Sequence, residues 1–208
     1  MSMTLRRMAM TAVFAAVFLG TVAMAVEEPA FKVVLHEGDF DVRDYPALVV
    51  AEVTVSGDQK QAASRGFRLL ASYIFGGNRT RQSIAMAAPV AQAPAGQTIA
   101  MTAPVTQTQS AGRWVVRFTM PSRYSLEALP EPNDPQVKLR LIPPSRLAVL
   151  RFSGLAGADT VEAKTADLKK RLTARQLRAT GPASLAQYNP PWTPWFMRRN
   201  EVMIPVAP

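Results

Sequence analysis

Side chains that could serve as metal ligands or nucleophiles are scarce in this chain, which has no cysteine and a single histidine, His36. The lack of cysteine excludes disulfides, thiolate nucleophiles, Cys-ligated zinc and iron–sulfur clusters. One histidine does not suffice for a His-based metal cage and leaves little for a Ser/His/Asp triad. His36 stands beside Glu37-Gly38 near the end of a predicted strand. That position indicates an exposed turn more than an iron ligand.

The carboxylates that could act as general acids or bases are scattered along the chain. Four of them show no spacing that would pair two, as a glycosidase needs: Glu52, Glu127, Glu131 and Glu201. A hydrolase built on Glu52 or Glu201 would require that residue to face a cleft in an environment that perturbs its ionisation. No Gly-rich phosphate loop follows a predicted strand, so a nucleotide site is not indicated.

Arginines and aromatic residues suggest a different chemistry, the binding of a flat acidic ligand. Arg65 and Arg68 flank Phe67 on a predicted helix, where they would either pair with ligand carboxylates or form a solvated face. The segment 189–197 combines three prolines with three large aromatic residues, Trp192, Trp195 and Phe196. This segment is either the rim of a pocket, stacking on a planar ring, or a rigid turn that caps the core.

Two near-copies of one motif, residues 84–92 and 99–107, each place a methionine beside small residues. Met86 and Met101 would act either as soft ligands of an iron or as gap-filling core side chains. Core packing is the more usual role of methionine. We interpret the two copies as the arms of a hairpin, whose prolines must stand at strand ends or edges.

Hydrophobic periodicity predicts the elements that must position these residues. Short apolar, β-branched runs predict strands at 31–35, 40–44, 47–55, 113–120, 137–142, 146–152, 184–188 and 201–206. Helical spacing predicts a first helix over 59–75, with Asp58 as N-cap and Gly76-Gly77 as its end. It predicts a second helix over 159–180, before Gly181-Pro182, and a short helical turn at 125–129.

An internal repeat indicates how these elements are arranged. Residues 41–57 align without gaps on residues 138–154, which matches Arg43 with Arg140 and Pro46 with Pro143. A helix and further strands follow both copies, so the chain consists of two strand–strand–helix–strand–strand units. We predict that the two units close their sheets around a shared core, with a helix over each half. A ligand cleft is expected between the sheet and the helices.

The N-terminus carries the features of an export signal. Arg6-Arg7 precede an apolar stretch, and Ala23-Met24-Ala25 fits a small-x-small cleavage site. We favour a cleavable signal peptide at 1–25 over a retained membrane anchor, and we expect a mature domain at 26–208 in the periplasm or secreted. Loss of the two leader arginines lowers 24 Lys+Arg to 22 against 15 Asp+Glu, a net charge of about +7. This charge favours anionic small molecules and peripheral contact with an anionic membrane, whereas the scattered basic residues argue against nucleic acid.

Several motifs in the chain resemble the SOUL haem-binding family. They are YIFGGN at 73–78, IAMTAPVT at 99–106, FTMPS at 118–122, LPEPNDP at 129–135, and YNPPWTP at 188–194 with RRNEV at 198–202. The resemblance spans about residues 31 to 206. It implies an α+β fold in which a distorted antiparallel β-barrel of two similar halves is flanked by two helices. That fold is similar in shape to gyrase-inhibitor-type effector-binding domains, which hold small apolar ligands in a cleft.

The resemblance also implies where haem or a related tetrapyrrole would bind, between the first helix and the loop before the last strand. In this sequence those positions are Ser64, Phe67, Arg68 and Ala71 on the helix, next to Arg65, and Trp192 to Phe196 in the loop. Some family members have a histidine, proposed as the iron ligand, where this chain has Asp44. We therefore expect hydrophobic capture of haem or metal-free porphyrin, with weak or no ligation of iron by the protein.

The sequence supports three hypotheses about function. The first is a tetrapyrrole-binding protein that acts as a periplasmic carrier, buffer or scavenger and is not an enzyme. The second is a binding module for another amphipathic ligand, such as a lipid or an aromatic metabolite. The third is a small-molecule hydrolase that uses a carboxylate in the cleft.

Overall fold

Nearly all of the chain that follows the predicted leader is described by the structure, a computed structural model that covers residues 26–79, 96–190 and 192–208. The predicted signal peptide at 1–25 and the first copy of the methionine motif at 84–92 lie outside these residues. None of the described helices is long and apolar enough to span a membrane.

The described residues form eleven strands, two α-helices and one 3₁₀ helix. The strands are β1 Lys32–Glu37, β2 Phe40–Tyr45, β3 Leu48–Val55, β4 Asn78–Arg79, β5 Val105–Ser110, β6 Arg113–Thr119, β7 Glu131–Pro132, β8 Lys138–Ile142, β9 Ser145–Ser153, β10 Ser184–Gln187 and β11 Arg199–Val206. The helices are α1 Gln59–Ile74, α2 Ala158–Ala174 and the 3₁₀ helix Trp195–Met197.

Nine of these strands form one antiparallel sheet in the order β1-β2-β9-β11-β10-β5-β6-β3-β8. The two halves repeat the same pairing, β3-β6-β5 and β9-β11-β10, and they join where β5 pairs with β10. The first strand of each repeat pairs with a strand of the other half: β2 pairs with β9, and β8 pairs with β3. Arg43 therefore pairs with Leu147, and its repeat partner Arg140 pairs with Val50. This arrangement confirms the predicted α+β fold of two similar halves.

Both helices cover the same face of the sheet. Helix α1 begins at its N-cap Asp58, whose carboxylate accepts a hydrogen bond from the Gln61 N–H at 2.8 Å, and it packs on β3 and β6. Gly66 is the point of closest approach, since a Cβ built there would lie 2.6 Å from Val116 Cγ2. Helix α2 packs on β9 and β11 through Leu168 and Leu172. Core side chains of the described residues fill these two interfaces, so these residues leave no cleft between the sheet and the helices, contrary to the prediction.

Two local predictions also differ from the structure. Helix α2 ends at Ala174 rather than Thr180, because the chain turns at Gln176, whose φ of 57° is left-handed. The second methionine motif becomes a strand only at Val105, immediately after Pro104, which has no N–H for the ladder. At 125–129 the chain makes a turn in which the Ala128 N–H donates to the Ser125 carbonyl at 3.2 Å, as the predicted helical turn requires. Met101 packs against the α1 core, which favours its core-packing interpretation.

Candidate functional site

The face of the sheet opposite α1 and α2 surrounds an apolar cavity. Alternation along β6 separates the two faces, because Val116 and Phe118 join the α1 core whereas Val115, Arg117 and Thr119 line the cavity. The sheet curls enough for strands from distant places in its order, β2 and β8, to contribute to the same walls. The face opposite the two helices is therefore concave, and the cavity lies within the curved sheet.

The cavity has a volume of about 400 Å³ and is open to solvent. Its walls are mainly aliphatic and aromatic, with a row of hydroxyl groups from β5. The residues that line it include Tyr45, Val50, Thr106, Thr108, Val115, Leu147 and Met203. A concave, mostly apolar site with a few polar groups is the usual form of a small-molecule site.

A buried charged cluster lies on the same concave face and contacts two residues of the cavity lining, Tyr45 and Tyr188. Arg43, which is only 1% exposed, donates to Asp41 Oδ2 at 2.5 Å and to Glu201 Oε2 at 3.0 Å. The Tyr188 hydroxyl donates to the same Glu201 oxygen at 2.5 Å. The half-exposed Arg151 lies 3.6 Å from both carboxylates. Two arginines thus balance two carboxylates, and the cluster has no net charge.

The surroundings of this cluster set the ionisation of its members. Burial alone would lower the pKa of Arg43, but its hydrogen bonds to Glu201, Tyr45 and Asp41 outweigh burial and raise that pKa. Burial raises the pKa of Tyr188, and the neighbouring Glu201 carboxylate raises it further. Burial also raises the pKa of Tyr45. The two phenols, which both line the cavity, therefore stay protonated hydrogen-bond donors at neutral pH.

A second charged group, centred on Glu52, reaches the cavity lining through Arg117 and has a different balance of charges. Glu52 accepts a hydrogen bond from Arg117 Nε at 2.8 Å and another from Arg140 Nε. One carboxylate thus serves two arginines, which leaves this group with an excess positive charge. Arg117 itself lines the cavity, and the Arg140 side chain is 60% exposed. A ligand carboxylate beside this group would meet guanidinium groups that are not fully neutralised.

The helix residues predicted as a site lie on the other side of the sheet. Ser64, Arg65 and Arg68 line an open polar depression at the start of α1, together with Ser56, Asp58, Lys60 and Gln61. Phe67, 38% exposed, packs edge-on against Phe118 with ring centroids 5.4 Å apart. Ala71 is half-buried. None of these five predicted residues lines the concave cavity.

The large aromatic side chains of the segment 189–197, which we call the aromatic loop, are exposed rather than packed on the core. Trp192 is 82% exposed, Trp195 60% and Phe196 62%, which disagrees with a turn that caps the core. The Trp195 and Phe196 rings contact each other edge-to-face, with their centroids 5.7 Å apart. None of the three lines the concave cavity. Their predicted role in ligand binding therefore stays a prediction.

His36 lies on the edge strand β1 and outside the cavity. Its side chain is 62% exposed, and its Nδ1 lies 2.6 Å from Asp41 Oδ1. Within the described ranges no group of three or more histidine or acidic side chains is placed to hold a metal ion. Sequence reasoning did not select Arg43, Tyr45 or Tyr188 as site residues. The signal that could have found the first was the match of Arg43 with Arg140 in the repeat.

Comparisons with known proteins bear on both the fold and the family. The sequence model of the family described as SOUL heme-binding protein matches residues 26–205. The fold is similar to the EcmrR C-terminal domain, with a TM-score of 0.59 and 10% identity, over 81% of this chain and 96% of that one. It is also similar to a hydrolase from Listeria innocua, with a TM-score of 0.53 and 13% identity, over 84% and 94% of the two chains. A search of curated proteins gave no match.

Proposed function

Because the chain belongs to the SOUL haem-binding protein family, we propose that it binds haem or a related tetrapyrrole in the concave cavity and does not catalyse a reaction. The observation that carries the proposal is an apolar cavity of about 400 Å³ whose lining contacts two charged groups that differ in their balance of charge. A tetrapyrrole has the matching distribution of properties, a flat apolar ring with carboxylates on one edge.

The residues of the cavity fit such a ligand. The aliphatic walls would cover part of the ring, and burying about 200 Å² of apolar surface contributes roughly 5 kcal/mol. A charge-assisted hydrogen bond from Arg117 to a carboxylate would add about 1.5–3 kcal/mol. Together these terms correspond to a dissociation constant of about 1–20 μM. Iron ligation is not needed for this affinity.

Axial ligation of iron is where the cavity fits haem least well. No histidine lines it among the described residues, and its soft or phenolic donors are Met203, Tyr45 and Tyr188. Both tyrosines have raised pKa values, which disfavours the phenolate that iron binds. We therefore expect metal-free porphyrin to bind about as tightly as haem. A bound haem would supply iron chemistry, but this chain would contribute its ring-binding walls and the arginines that Glu52 binds.

A titration with matched variants tests both the ligand and its location. Protein from residue 26 onward is titrated with haemin and with protoporphyrin, followed by the Soret band. The Thr108→Trp variant fills the cavity, and Gln109→Trp places the same side chain on the opposite face of the same strand. The expected result is saturable one-to-one binding, lost in Thr108→Trp and retained in Gln109→Trp. Thermal unfolding checks that every variant is folded.

The Phe67→Arg variant decides between the cavity and the predicted helix-face site. Loss of binding in Phe67→Arg with retention in Thr108→Trp would transfer the site to α1 and the aromatic loop. The dimethyl ester of the porphyrin tests the contact with Arg117, because it lacks the carboxylates that this arginine would meet. We expect the ester to bind about 10- to 150-fold more weakly, which corresponds to one lost charge-assisted contact. Absence of saturable binding for any porphyrin would refute the proposal.

The cellular role and the alternatives rest on the same ligand chemistry. We propose that the protein is exported by the leader at 1–25 and acts in the periplasm as a carrier, buffer or scavenger. The missing histidine in the cavity favours a second candidate, a module for another amphipathic acid, which fatty-acid competition against bound porphyrin would reveal. The hydrolase hypothesis is the least favoured, because Glu52 and Glu201 are both bound by arginines and neither lines the cavity.

A further inference from the structure

The aromatic loop forms an exposed apolar surface that lies outside the lining of the concave cavity. Four neighbouring large side chains are at least 60% exposed: Trp192, Trp195, Phe196 and Met197. The 3₁₀ helix within this loop contacts β9, and two residues beyond the end of β9 stands Leu155, which is 61% exposed. The Asn200 side chain donates to the Gly154 carbonyl at 3.0 Å and holds the two segments together. Exposed apolar patches of this kind mark sites of association.

Hydrogen bonds among residues 193–198 hold this part of the loop in the conformation that exposes its apolar side chains. The Met197 N–H donates to the Pro194 carbonyl at 2.9 Å, and the Arg198 N–H donates to the Trp195 carbonyl at 3.2 Å. The Arg198 guanidinium donates to the Thr193 carbonyl at 2.8 Å. Prolines further restrict the chain. Association therefore requires little ordering of the loop.

We propose that this aromatic loop is a docking surface for an anionic lipid bilayer. Trp and Phe side chains on a rigid protrusion are the type that inserts at the level of lipid headgroups. The net charge of about +7 after loss of the leader (22 Lys+Arg against 15 Asp+Glu) attracts an anionic surface. The same charge opposes the seating of a second copy of this chain. The proposal goes beyond tetrapyrrole binding.

Vesicle binding of protein from residue 26 onward tests the proposal, since that chain lacks the leader that could itself insert. Vesicles of phosphatidylglycerol with phosphatidylethanolamine are compared with vesicles of phosphatidylcholine, by sedimentation and by the tryptophan emission maximum. We expect sedimentation and a blue shift with the anionic vesicles only, weakened by about 0.5 M NaCl because salt screens the attraction. Trp114, half-buried beside the α1 core, gives an unchanged background signal.

The decisive variant is Trp195→Ser with Phe196→Ser, matched by Phe75→Ser. Phe75 is 61% exposed, almost the same as Phe196, but it stands at the end of α1. The loop variant should bind anionic vesicles about tenfold more weakly or worse, since two large apolar side chains no longer enter the interface. The Phe75→Ser variant should bind like the unaltered chain. Equal losses in both variants, or no vesicle binding by the unaltered chain, would overturn the proposal.

The same variants distinguish membrane docking from two other uses of the loop, contact with a second copy of the chain and binding of haemin. A concentration-dependent dimer in the absence of vesicles, abolished by the loop variant, would assign the surface to a second copy and overturn membrane docking. Loss of haemin binding in the loop variant, together with unchanged vesicle binding, would assign the loop to the ligand site and likewise overturn it. Because the vesicle assay uses no porphyrin, a failure of tetrapyrrole binding leaves its result interpretable.

Discussion

Replacing Arg43 by methionine tests whether the buried cluster holds the concave face together. The substitution keeps an unbranched side chain of similar length but removes the guanidinium that binds two buried carboxylates, those of Asp41 and Glu201. Removing one partner of a buried ion pair destabilises a protein by about 3–5 kcal/mol. The half-exposed Arg151 is 3.6 Å from both carboxylates and compensates in part, so we expect about 3 kcal/mol. For a chain of this size that is a fall in Tm of about 6–12 °C.

Thermal unfolding followed by circular dichroism measures this fall, with Arg79→Met as the matched control. The Arg79–Glu131 pair has a similar N–O distance of 2.9 Å, but its side chains are 69% and 46% exposed. Exposed pairs contribute at most about 1 kcal/mol. A chain that combines Arg43→Met with Asp41→Asn and Glu201→Gln should recover most of the lost stability. If Arg43→Met loses no more Tm than Arg79→Met, the reasoning about uncompensated buried charge is refuted.

Three further changes have expected outcomes. Gly66→Ala should lower the free energy of unfolding, because overpacking of the new methyl against Val116 costs about 1–3 kcal/mol and helix propensity returns about 1; an unchanged or higher Tm would contradict this. The pKa of Asp41 is lowered in the folded protein, so its carboxylate contributes stability above about pH 4, the ordinary pKa of an unfolded Asp. This contribution is lost as the pH falls through the lower pKa of the folded protein. The Tm values of the wild type and Asp41→Asn should therefore converge in acid. Tyr188→Phe should lose about 1–3 kcal/mol in denaturant unfolding, because Glu201 loses a buried hydrogen bond.

The fold was largely predictable from the sequence because its signals are local and repeated. The β-branched run of β3 and the Asp58 N-cap of α1 each specify an element without reference to the rest of the chain. The match of residues 41–57 with 138–154 specified two similar units. It did not specify that β2 and β8 cross to the opposite halves, since the strand that a segment pairs with depends on contacts distant in sequence. The end of α2 was predicted incorrectly because glutamine, the residue at position 176, gives no sequence signal of a left-handed turn.

The location of the cavity could not be predicted from β3, because the first half of that strand is apolar on both faces. Along β3, Val50 lines the cavity while Ala51 and Val53 join the core under α1. A run without polar alternation gives no indication of which face carries the helix. The expectation that a cleft lies between sheet and helices therefore rested on general architecture. The exposed aromatic loop was recognised by composition, but only the structure separates its side chains from the cavity lining.

The internal repeat also explains how one cavity acquires two unlike charged groups. Arg43 and Arg140 occupy equivalent positions, and each projects from the concave face toward a carboxylate. Around Arg43 two carboxylates balance two arginines, whereas around Arg140 the single Glu52 serves both Arg140 and Arg117. Pseudo-symmetry thus supplies matching arginines, and the unequal number of carboxylates breaks the symmetry of charge. An amphipathic acid in the cavity would lower its electrostatic energy in one orientation only, with its carboxylates toward Arg117 and its apolar edge toward the neutral cluster.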